Sequence, residues 1–134
     1  MSENVKAFGE VPGWVVEEVK KARVKLGLHP AWYISVALSE KPHGMENDGA
    51  AYCQVPYFMA GLEFKPDIAE DDGGRDLVWH EVAHILTAPL REAAYKGLDQ
   101  IKNKRARKLA KRIVDDAEEQ LVNQLIYGLL EAQP

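Results

Sequence analysis

The stretch "LVWHEVAHIL", residues 77–86, places His80 and His84 four residues apart with Glu81 between them, among Leu77, Val78, Val82, Ile85 and Leu86. Apolar residues at this spacing predict a helix with one buried face. On such a helix, positions i and i+4 lie about 40° apart and one turn along, so both imidazoles can converge on one ion. Zinc favours nitrogen ligands of this kind, and a catalytic zinc needs a third protein ligand and an open position for water. Glu81 lies about 60° round from His84. It is placed outside the ligand set but within reach of the water, where a general base takes the proton. A shuffled chain of this composition shows the pattern about one time in a hundred. His80, Glu81 and His84 are therefore read as the centre of a zinc site, against the plainer reading of two hydrogen-bonded core or surface histidines.

The rest of the chain sets bounds on this reading. At 134 residues it is long enough for one domain, 1–134, with a real core and no need of disulfide staples. A hydrophobic fraction of 46% and a charged fraction of 28% are ordinary for a globular protein. The net charge of −4 gives no global attraction to nucleic acid or anionic membrane. Cys53 is the only cysteine, which excludes an intramolecular disulfide and a cysteine-rich zinc knuckle. The opening "MSENVKAFGE" has no apolar core of a secretion signal, and no apolar run approaches a membrane span. The expectation is a cytoplasmic chain with no membrane partner.

Residues 13–28 carry Val15, Val16, Val19, Ala22, Val24 and Leu26 near helical spacing, and Gly27 and Pro30 close that helix. "WYISVAL" (32–38), "AYCQV" (51–55) and "YFMAGLEFK" (57–65) read as strands, with Pro56 favouring a bend or an edge. Residues 40–50 and 66–74 read as loops. A helix from about Arg75 is expected to stop at Pro89, followed by a short helix ending near Gly97. A long helix over roughly 104–131 has the apolar stripe Leu109, Ile113, Val114, Ala117, Leu121, Val122, Leu125, Ile126 and Leu129. The fold class is α+β: a small, mostly three-stranded sheet packed against the histidine-bearing helix and a long C-terminal helix.

No third histidine follows His84, so the remaining ligand should be a carboxylate, and "DDAEEQLVNQL" (115–125) offers Asp115, Asp116, Glu118 and Glu119. Helix geometry sorts these only in part. Asp116 points away from the stripe, Glu118 lies at its centre, and Asp115 and Glu119 flank it. A solvated acidic face pairing with upstream cations is the plainer reading of the cluster.

With H-E-x-x-H at 80–84 and an acidic helix downstream, the chain resembles the gluzincins, zinc peptidases whose third ligand is a glutamate on a later helix. It is most similar to their small, phage-type members. In that clan the ligand glutamate is often followed four residues on by a polar residue that orients one histidine. Glu119 has Asn123 there, whereas Glu118 has Val122. "EQLVNQLI" (119–126) also resembles the E-x-x-A-N-x-F-A helix of small phage- and mobile-element-associated peptidases. The resemblance thus implies a zincin-like domain with Zn2+ on His80, His84 and Glu119, and with Glu81 as general base and then acid. It covers the last 60–80 residues, and it departs from the pattern in having Asn123 where aspartate is commoner and a long gap between His84 and Glu119. Tyr95, His43 and Tyr127 are candidates for stabilising the transition state, each weighed against an ordinary structural role.

In such peptidases the strand before the metal helix forms the lip of the cleft. "YFMAGLEF" (57–64) holds that place, so its free edge is expected to pair with a peptide or protein substrate as an extended strand. "KNKRARKLAKR" (102–112) has seven basic residues and no acid. Its alternative reading is a weak nucleic-acid contact in a non-catalytic, DNA-associated or regulatory domain. Its plain reading is a solvated helix face pairing with Asp115 and Asp116.

Overall fold

The computed structural model describes residues 4–131; the first three residues of the polar opening and the last three of the chain lie outside the described residues. The elements are β1 (Val5–Ala7), α1 (Gly13–Lys25), β2 (Tyr33–Leu38), β3 (Gly49–Gln54), β4 (Met59–Phe64), α2 (Asp72–Leu98) and α3 (Lys104–Glu131). This is an α+β arrangement with a four-stranded sheet, ordered β1-β2-β4-β3. β1 and β4 run parallel to β2, and β3 runs antiparallel to β4. Compact packing divides the chain inside α2, between Leu86 and Thr87.

The sheet has one strand more than the sequence suggested. Val5 pairs with Ile34 and is buried, while Lys6 and Ala7 are exposed, so three residues of a polar stretch make an edge strand with little periodicity to show for it. β3 begins two residues earlier than expected, at Gly49, because Gly49 and Ala50 are small residues at the end of a polar stretch that reads as loop. The chain then turns through Val55–Tyr57, a short 3-10 turn containing Pro56, with Phe58 in the left-handed region at φ 52. That turn folds β3 back along β4.

The consequence corrects one expectation. β4, the strand before the histidine helix, lies between β2 and β3 and has no free edge. The open edge on that side of the sheet belongs to β3.

One face of the sheet is the core of the first unit. Ile34, Val36, Leu62 and Phe64 are fully or almost fully buried, together with Val15, Val19 and Ala22 of α1 and Val78, Val82 and Ile85 of α2. α1 ends in paired bonds from Leu28 N–H to the Arg23 carbonyl and from Gly27 N–H to that of Val24, with Gly27 at φ 71. This is the Schellman stop that a glycine permits. The apolar stripe read from sequence drifts at its end, for Val24 is 77% exposed while Glu18 and Arg23 are buried. Each buried polar group has a partner that sequence could not supply. Glu18 Oε2 accepts from Trp79 Nε1 at 2.8 Å, and Arg23 donates to the carbonyls of His29 and Pro30.

α2 starts where Asp71 accepts a bond from the Gly74 N–H at 2.8 Å, an N-terminal cap. A Cβ at Gly74 would lie 1.8 Å from the Ala69 carbonyl oxygen, which is backbone and cannot swing aside. Gly74→Ala should therefore destabilise the protein by about 1–3 kcal/mol, the usual cost of overpacking. A denaturant midpoint equal to that of the parent would refute this.

The helix does not stop at Pro89. It continues as one element to Leu98, with Pro89 inside and exposed. Proline removes one intrahelical donor and crowds the carbonyl four residues back, at about 3 kcal/mol. Favourable contacts of Thr87, Arg91 and Tyr95, described below, lie on both sides of it and offset that cost. No described helix is long and apolar enough to cross a membrane.

Candidate metal centre

His80 and His84 are half-buried on α2, whose other face buries Val78, Val82 and Ile85. Their Nε2 atoms lie 3.2 Å apart, with the rings nearly perpendicular at 74°. Two imidazoles held tetrahedrally at about 2.0–2.1 Å from one zinc ion place their nitrogens roughly 3.3–3.4 Å apart. The observed separation fits that geometry.

The anchor for this arrangement is the neighbouring Trp79, 2% exposed, whose indole bonds to Glu18 of α1. Glu18 is in turn approached by Lys21 at 3.3 Å and Arg75 at 3.7 Å. The bond fixes the azimuth of α2 in the first unit, and with it the direction in which His80 and His84 project.

Glu81 is buried, at 6% exposure. A Cβ built on Gly49 would come within 3.3 Å of Glu81 Cγ, 3.3 Å of Leu77 Cδ1 and 3.0 Å of Phe64 Cδ1. The first residue of the edge strand therefore sits against the side chain read as the base, and glycine there allows the approach. This residue was missed in the sequence, where "ENDGA" (46–50) reads as the end of a loop; its only signal was a glycine just before a strand.

His43 lies elsewhere in the unit. It takes up φ 50, its ring stacks on Tyr52 with centroids 4.8 Å apart, and its N–H donates to Glu63. Tyr52, Gly61 and Glu63 alternate with Ala60, Leu62 and Phe64 in the register, so they occupy the sheet face away from Glu81. Burial, and then the charge of Glu63, raises the Tyr52 phenol against a hydrogen bond with Ser35 that lowers it. His43 is thus a loop anchor.

In the second unit, two of the acidic candidates are engaged between helices. Thr87 Oγ1 donates to Glu118 Oε2 at 2.6 Å. Arg91 Nε reaches Asp115 Oδ1 at 3.1 Å and Glu118 Oε1 at 3.4 Å. Tyr95 donates its hydroxyl to Asp115, and burial followed by that bond raises the phenol, keeping it a donor. Arg91 and Lys111 also stand over the Tyr95 ring at 4.8 and 5.0 Å. Tyr95 is therefore committed to the packing of α2 and α3. Tyr127 is exposed on α3, as are Asp116, Glu119 and Asn123. Glu118→Ala removes the bond to the buried Thr87 and the approach of Arg91, and should cost about 1.5–3 kcal/mol of stability, the range for a hydrogen bond to a charged group. The check is a lower thermal midpoint with metal content unchanged; metal loss at unchanged stability would make Glu118 a ligand.

The basic run behaves differently from the plain reading. Asp115 pairs with Arg91 rather than with the run, Lys111 pairs with Asp99 at 2.7 Å, and Arg107 donates to the Ile101 carbonyl. Among the described residues Lys102, Lys104, Arg105, Lys108 and Arg112 are exposed and form no ion pair.

No family model, no curated protein and no solved structure matches this chain.

Proposed function

We propose that the chain is a zinc-dependent peptidase of zincin-like fold that cleaves peptide bonds with water as nucleophile. The observation that carries this reading is the pair of Nε2 atoms 3.2 Å apart, one residue from a buried glutamate that abuts an edge strand. Two imidazole nitrogens and one carboxylate oxygen, from His80, His84 and Glu119, are a donor set of the kind zinc takes. Glu119 is preferred over its neighbours because it is the carboxylate that joins the two histidines in this donor set, and because Asn123 stands four residues on. Zinc bound there would supply acidified water and polarise the scissile carbonyl.

The remaining steps fall to the chain itself. Glu81, as carboxylate, takes a proton from the attacking water and then delivers it to the leaving amine. Its burial excludes competing solvent, and the register of Gly49 sets β3 beside it. The β3 edge offers unpaired backbone groups to an extended peptide, so main-chain bonds hold the substrate with little dependence on its sequence.

The test is one preparation analysed twice. About one zinc per chain, with cleavage of an unstructured protein that a chelator abolishes, supports the reading. Absence of zinc from untreated protein, or cleavage indifferent to the chelator, rejects it.

The second reading is a DNA-associated module using residues 102–112, and the five unpaired cations favour it. It predicts duplex binding with a steep salt dependence that charge reversal of Lys104, Arg105 and Lys108 removes. Binding that ignores salt would eliminate it.

A further inference from the structure

Tyr57, Phe58 and Met59 are consecutive, large, and 74%, 41% and 46% exposed. Single exposed apolar residues are ordinary, but three together at one end of a sheet make a patch. Phe58 is held there against its backbone preference, at φ 52 and ψ 43, where a bulky residue is disfavoured. The surroundings over-determine it. Its ring lies 5.4 Å from those of His29 and Trp32, its N–H bonds to the Val55 carbonyl, and its carbonyl accepts from Tyr33. Glycine or asparagine would suit that backbone better, so the turn itself does not call for an aromatic ring.

β3 joins this patch to Glu81. Gly49, its first residue, abuts Glu81, and Gln54, its last, leads into the turn Val55–Tyr57. Five or six residues at about 3.4 Å each span roughly 17–20 Å.

We propose that Tyr57, Phe58 and Met59 form a distal subsite for an apolar side chain of an extended peptide paired antiparallel to β3. That side chain lies about five to seven residues on the N-terminal side of the bond cut. The inference rests on the peptidase reading above and adds a substrate class to it: unstructured segments with a large apolar residue at that distance. Antiparallel pairing is the more stable ladder per residue. It directs the N-terminal part of a peptide toward Gln54 when the scissile bond lies by Glu81. Main-chain bonds along β3 recognise any extended chain, so selectivity has to come from side chains at its ends.

The experiment uses peptides of serine, threonine and glycine with one fixed cleavable bond, in which a single leucine is moved from three to eight residues N-terminal of it. A matching set carries the leucine on the C-terminal side. Cleavage is measured with the zinc-loaded parent, and binding, by fluorescence anisotropy, with the zinc-loaded Glu81→Gln protein. The expected result is a maximum at about five to seven residues, with affinity about tenfold or more above serine, the scale of burying one apolar side chain. The maximum should vanish in the combined variant Tyr57→Ser, Phe58→Gly, Met59→Ser. Phe58→Asn alone, which suits the left-handed backbone, should reduce it without lowering thermal stability.

A flat profile with cleavage intact overturns the subsite and leaves the peptidase standing. A maximum only on the C-terminal side overturns it too. The expected profile in binding, with no cleavage by the parent, upholds the subsite and overturns the peptidase. Neither binding nor cleavage overturns both.

Discussion

On the proposed peptidase reading, Glu81→Gln should bind as much zinc as the parent and lose peptide hydrolysis by at least the roughly 10²–10⁴-fold associated with removing a general acid–base. The substitution keeps the shape of a side chain that is 6% exposed and packed near Gly49, Leu77 and Phe64, so the fold is undisturbed. What disappears is the capacity to take a proton. The measurement is turnover of an unstructured protein beside metal content on the same sample, with DNA added in a parallel reaction. Undiminished turnover would move the base elsewhere. Loss of zinc would instead make Glu81 a ligand, contrary to its position one residue from His80.

His80→Ala with His84→Ala should abolish metal binding, because it removes both nitrogens of the pair held 3.2 Å apart. Glu119→Ala should lose most of the affinity, and Asn123→Ala about 10–100-fold, the range seen when a group that orients a ligand is removed. Calorimetric titration with zinc reads all three. X-ray absorption should show a shell of nitrogen and oxygen without sulfur, since Cys53 is the only cysteine. Full retention of metal by the double histidine variant would refute the site, and a sulfur shell would assign it to Cys53.

The histidine pair was legible in the sequence because its meaning is local. Four residues on a helix fix a distance whatever the tertiary context, and the apolar spacing of 77–86 declared the helix. β2, β4 and α3 were legible for the same reason. What the sequence hid was long-range. Glu18 in a charged run looks solvated until Trp79, 61 residues on, is seen to bond it. Strand order is equally hidden: alternation in "YFMAGLEF" tells that β4 is a strand, but only the turn at Pro56 and Phe58 makes it interior and gives the edge to β3. Pro89 misled because its local cost is real, and it is the contacts of Thr87, Arg91 and Tyr95 that outweigh it. Among the acids, the bonds of Asp115 and Glu118 to guanidinium and hydroxyl groups on α2 were equally hidden.

β3 also bears on how the protein must be handled. Its residues, Gly49-Ala50-Ala51-Tyr52-Cys53-Gln54, include no charge and no proline, the two features that normally discourage one sheet edge from joining another. On the peptidase proposed above, substrate capture would need that edge bare, and the usual safeguards against fibre growth could not be installed along it. Asp48 before the strand and Pro56 after it act as bookends, limiting any intermolecular ladder to about six residues. Concentrated stocks should therefore assemble slowly through this edge, and a short extended peptide supplied in excess should delay the rise in light scattering.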